Sequence, residues 1–173
     1  MSETASREGA KPDPSPDVKP PERIARAAAS KGEQKARLDA PVLAVLAILA
    51  GGYIAFGSLF FLLAQAGAGN LPYGAGQVLG GVVFSLGLIL VLVGGAELFT
   101  GNTLLVVAWA EGRAGFAPVI WALAIAWVMN FLGSVAVAAL AFAAGVHEAG
   151  GGAVGAAALR VAERKAGLDF GAA

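Results

Sequence analysis

From residue 41 onward, the alternation of hydrophobic and polar positions resolves into three long apolar blocks separated by short turns. The first, residues 41–64 (PVLAVLAILAGGYIAFGSLFFLLA), contains no charge. As a helix it would extend about 36 Å, enough for a tilted crossing of a bilayer. Ala47, Gly51 and Ala55 recur every four residues in it, a stripe of small side chains that lets another helix approach closely. The third block, residues 118–144, predicts another span, with Trp121 near one end as an interfacial anchor. Asn130, Gly133 and Ser134 lie well inside it and are expected at a helix contact. The middle block behaves differently. Residues 77–110 would form a helix of roughly 50 Å against a hydrocarbon core of about 30 Å. That is too long for one straight span and too short for two. The length predicts one crossing interrupted near residues 94–101, where GGAELFTGNT breaks the apolar run.

The flanks are polar. Residues 1–20 are rich in Pro, Ser and charge and read as a disordered cytoplasmic tail. Residues 21–38 begin with proline, which a first helical turn tolerates. They predict a basic amphipathic helix on the membrane surface or, given the weak apolar stripe, a solvated linker helix. Residues 145–173 start glycine-rich and turn polar, and are expected outside the membrane.

Composition sharpens this pattern. Of 173 residues, 57% are hydrophobic and 14% charged, and the mean hydropathy is +0.72. A soluble domain carries roughly 25% charged residues. Between residues 41 and 144 the only ionisable acids and bases are Glu97, Glu111 and Arg113. The expected fold is therefore an all-α integral membrane protein with three transmembrane helices, the second interrupted mid-membrane, and the bilayer is its first partner. Residues 1–40 offer no apolar stretch for a secretory signal, so targeting is expected to come from the first span. Eight of the twelve Lys and Arg precede residue 38, and the loop at residues 65–76 has none. This distribution predicts a cytoplasmic N-terminus. Arg160, Arg164 and Lys165 then fall on the outer side, against the trend. Formal net charge is zero, so no nucleic-acid partner is expected. With no cysteine and one histidine, His147, no metal centre or other cofactor is expected. Nor do paired catalytic groups suggest an enzyme.

The interruption carries the candidate chemistry. Irregular backbone at membrane depth is tolerated only where it is buried in protein or lines a cavity, and broken helices mark substrate sites in transporters. Gly94 and Gly95 are read as structural. Thr100 offers a hydroxyl, Gly101 allows close backbone approach, and Asn102 with Thr103 is expected to open the second half-helix. Free N–H groups at such a break attract an anion, so the backbone N–H groups of Gly101 and Asn102 are expected to contact it alongside Thr100. Glu97 would repel that anion, so its carboxylate is expected to accept hydrogen bonds from loop N–H groups or a neighbouring chain; a proton relay is the alternative. Phe84 and Leu88, four residues apart, share a helix face that forms a constriction or packs against lipid or another helix.

The segment LGGVVFSLGLILVLVGGAELFTGNTLLVVAWAEGR closely resembles the second-helix signature of the formate/nitrite transporter family. PPERIARAAASKGEQKARL is similar to that family's N-terminal surface helix, and LAGGYIAFGSLFF to its first span. WVMNFLGSVAVA resembles the third span, with Met129 where a glycine is usual, and ALRVAERKAGLDF resembles the approach to a fourth. The resemblance implies an aquaporin-like six-helix fold of two inverted repeats, of which this chain supplies the first. It also implies a homo-pentamer in the inner membrane, once the second half is supplied. The implied permeants are small monovalent anions such as formate, nitrite or hydrosulfide. Thr100 matches the family's loop threonine, and Phe84, Leu88 and Leu98 match its constriction residues. The pore histidine belongs to the other half, and His147 does not match it. A fragment, a truncated gene and a half-transporter are the readings this leaves. Against transport stands a second class, a truncated non-transporting membrane remnant or scaffold subunit.

Overall fold

The computed structural model describes residues 20–168; the N-terminal tail expected to be disordered lies outside them, apart from Pro20. Pro21 opens helix α1 (Pro21–Ala36), taking a first-turn position where its missing N–H costs nothing. Asp39 then turns the chain into α2 (Ala40–Gly67), with Pro41 in its first turn. A short 3₁₀ turn (Ala68–Asn70) and Pro72 lead into α3 (Tyr73–Val93). After a loop come two short helices, α4 (Phe99–Asn102) and α5 (Leu105–Ala110). The long α6 (Phe116–Ala143) follows, then a 3₁₀ turn (Val146–Glu148) and α7 (Ala153–Ala166). Among the described residues α2, α3 and α6 are long and apolar enough to cross a membrane.

The middle block thus starts at Tyr73, four residues earlier than hydropathy placed it, because Pro72 already provides a helix start. The segment after Gly145, expected only to be glycine-rich and then polar, forms a helix. Gly150, Gly151 and Gly152 all take positive φ, and the chain then forms α7, which buries Val154 and Ala157. That helix lies along α2.

The centre of the fold is α2, packed against α3 on one side and α6 on the other. Glycine makes both contacts close. A side chain at Gly51 would collide with the backbone of Asn130 on α6, and one at Gly133 with the backbone of Ile48. On the other side, Gly57 faces the carbonyl of Phe84, and Gly87 faces that of Tyr53. Near one end Leu43, Leu105, Val119 and Ala122 form a buried cluster linking α2, α5 and α6. A second cluster, Ala50, Val91 and Ala96, sits where α3 ends, with Tyr53, Ile54 and Leu98 against it. Much of the outward apolar surface is exposed, including Val78, Val82 and Val93 on α3 and Trp121, Phe131 and Phe142 on α6. Such faces suit lipid or further protein rather than water.

The α2–α6 contact predicts a simple comparison. Gly51→Ala should lower the melting temperature of the detergent-solubilised chain, with a cost of about 1–3 kcal/mol for overpacking. Gly81→Ala, at a position with open space around the missing Cβ, should cost nothing. Equal melting temperatures for the two variants would contradict glycine-dependent packing of α2 on α6.

Candidate functional site

Helix α3 stops because of two successive glycines. Gly94 closes the helix, and Gly95 adopts φ 60°, a left-handed conformation that glycine enters without strain. The Gly95 N–H donates to the Leu92 carbonyl and the Ala96 N–H to the Val91 carbonyl at 3.0 Å. This is the Schellman pairing, which satisfies carbonyls at a helix end. The chain then crosses over α2, where the Glu97 N–H donates to the Leu46 carbonyl at 3.2 Å. Leu98 is extended, and Phe99 begins α4.

No side chain of the loop caps α4. The cap comes from α6: Asn130 Oδ1 accepts the Phe99 N–H at 2.8 Å. Its Nδ2 donates to the Glu97 carbonyl at 3.0 Å and to the Ala47 carbonyl at 2.7 Å. One carboxamide therefore joins α2, the loop and α4. Asn130, expected only at a helix contact, has this second task. Its signal in the sequence was a polar amide deep in an apolar span, but its partners are 31, 33 and 83 residues away.

The carboxylate of Glu97 is almost buried and pairs with the Lys35 ammonium of α1 at 2.9 Å. Lys35 also donates to Asn102 Oδ1 at 3.0 Å. The N–H groups of Gly95, Ala96 and Glu97, among the expected donors to this carboxylate, are directed to carbonyls of α3 and α2 instead. Lysine reaches Glu97 because α1 docks on α5, with Gly32 pressed against Ala108. A carboxylate held by an ammonium adds little net negative potential, which removes its conflict with a nearby anion.

A cleft of about 650 Å³ opens beside this pair. Leu88, Leu98, Thr100 and Gly101 line it together with Glu97, Lys31 and Lys35. Four of the six expected pathway residues thus converge. The other two do not join them. Asn102 is fully buried, its N–H donates to the Leu98 carbonyl, and its side chain turns to Lys35. The second half-helix opens at Phe99 rather than at Asn102 and Thr103, because Asn130 supplies the cap one turn earlier. Phe84 lines a separate cleft of about 540 Å³ near the other end of α3, with Ser58, Gln77, Gly81 and Lys165. Gln77, Gly81, Phe84, Leu88 and Leu92 fall on one stripe of α3 at three- and four-residue spacing. The two clefts therefore share that face, with the turn from Phe84 to Leu88 between them.

Sequence and fold comparisons agree on the kind of protein this chain resembles. The model of the family described as Formate/nitrite transporter matches residues 22–173. The formate channel FocA of Escherichia coli strain K12 is 39% identical over 126 residues, covering 73% of this chain and 42% of its own length. A Methanothermobacter thermautotrophicus protein named "Probable formate transporter" is 38% identical over 152 residues, covering 86% of this chain and 55% of its own. The chain thus spans about half the length of these curated relatives. Among solved structures, a pentameric formate channel with formate bound superposes with a TM-score of 0.66 at 30% identity, over 76% of this chain and 51% of that one.

The Lys35–Glu97 pair yields a prediction on stability. Removing one partner from a buried pair strands the other charge. Lys35→Met should therefore destabilise the chain in detergent by about 1–3 kcal/mol, a range reduced for the partial exposure of Lys35. In the double variant with Glu97→Gln, part of that loss should return. Strictly additive losses in a thermal-melt cycle would mean that the two side chains are not coupled.

Proposed function

The chain belongs to the formate/nitrite transporter family, and on that premise we propose that it supplies half of a channel-like pathway for small monovalent anions such as formate, nitrite or hydrosulfide. The observation that carries this reading is the convergence of Thr100, Gly101, Leu88 and Leu98 with Lys31 and Lys35 on one cleft beside α3. Leu88 and Leu98 narrow the route and strip water from the ion. Thr100 offers a hydroxyl in place of that water. Lys31, the lysine outside the Glu97 pair, raises the local anion concentration at the mouth. Phe84 continues the apolar stretch toward the second cleft, where Lys165 stands. Gly94 and Gly95 end the helix so that the loop can occupy this place, in a second span interrupted mid-membrane.

In this reading the protein is a multi-pass component of the inner membrane. Its N-terminus and α1 lie on the cytoplasmic side, as the eight basic residues ahead of residue 38 suggest. The working unit is a homo-pentamer of six-helix protomers built from inverted repeats, with this chain as the first repeat. Support comes from the resemblance to a pentameric channel that holds formate.

The test is anion flux through an assembly containing this chain and a complementary second half. Thr100→Ala should reduce formate uptake roughly tenfold at equal membrane expression, the scale of losing one hydrogen bond to an anion. Unchanged uptake would remove Thr100 from the pathway. No uptake by any such assembly, the unaltered chain included, would favour the non-transporting scaffold or remnant.

A further inference from the structure

We propose that Asn130 is the positioning residue of the anion pathway, holding the Glu97–Phe99 backbone so that Thr100 stays at the cleft. The inference rests on the reading of that loop as the pathway. All three hydrogen-bonding groups that Asn130 commits are matched: two donated bonds, to the Ala47 and Glu97 carbonyls, and one accepted from the Phe99 N–H. Two of the three end on the loop, and Phe99 immediately precedes Thr100. Only a carboxamide combines two donors and an acceptor in so short a side chain. Leucine would leave all three backbone groups unpaired, while aspartate could accept but, when ionised, not donate.

Holding α6 on α2 does not require this residue. The close approach at Gly51 and Gly133 does that, and Ser134 Oγ adds a bond to the Gly51 carbonyl at 3.0 Å. Ser134 therefore offers a control, an α6-to-α2 hydrogen bond that does not touch the loop. The charged and titratable groups around Asn130 are few. Glu97 directs its carboxylate to Lys35 of α1, Tyr53 of α2 sits in the cluster at the end of α3, and α6 carries no charge.

Hydrogen exchange on the 173-residue chain in nanodiscs, read at residues 94–104, tests the proposal without requiring flux. Asn130→Leu should speed exchange there on the order of tenfold while α3 and α6 keep their protection. Ser134→Ala should leave the loop unchanged. Two results would overturn the role: no change in Asn130→Leu, or a loosening spread equally over α3 and α6. Formate flux of the unaltered assembly reads the pathway assignment separately. Its absence removes the pathway while leaving the exchange result to judge whether Asn130 orders the loop.

Discussion

Everything at the candidate site depends on how the backbone between Val93 and Phe99 finds hydrogen-bond partners among apolar helices. Peptide groups released from a helix in such surroundings cost several kcal/mol each if left unpaired, roughly the scale of burying an amide without a partner. Here the bonds close locally and at long range. The glycine pair returns two N–H groups to α3, α2 takes the Glu97 N–H, and Asn130 takes the Glu97 carbonyl and the Phe99 N–H. Most of the loop's N–H groups thus find partners although the backbone is irregular, and the loop can present Thr100 to a cleft.

That solution needs α2 and α6 close enough for one short amide to reach both. Gly51 and Gly133 provide the proximity, since each leaves room for the other helix's backbone. Packing and polar chemistry are coupled at this crossing: a side chain at either glycine would withdraw Asn130 from Ala47 and from the loop together. The same economy appears on the α3 side, where Gly57 and Gly87 bring that helix against α2 and leave its Phe84–Leu88 face open.

Charge enters from outside the apolar block. Glu97 sits where a lone carboxylate would be costly, and its partner is supplied by α1, which is not among the helices long and apolar enough to cross a membrane. Docking of α1 through Gly32 on α5 thereby becomes part of the site, and Lys35 ties Glu97 and Asn102 into one network.

Much of this was legible in the residues themselves. Three apolar helices follow from hydropathy and length because bilayer thickness imposes a scale on every span. Consecutive glycines at the end of α3 mark a helix stop because only glycine enters the left-handed conformation freely. Leu88, Leu98, Thr100 and Gly101 were named from one contiguous motif, and they line one cleft because they lie on and just after a single helix face. What the residues could not disclose were the partners chosen across distance. Lys35 for Glu97, Asn130 for Phe99, and the turning of Asn102 away from the cleft are side-chain hydrogen bonds spanning 31 to 67 residues. Such bonds leave no periodic trace, since their geometry exists only after α1, α2 and α6 have packed. Local propensity and the bilayer determined where helices run and stop; tertiary packing alone decided which polar group meets which, because an unpaired donor or acceptor in an apolar interior takes whatever partner the fold brings within reach.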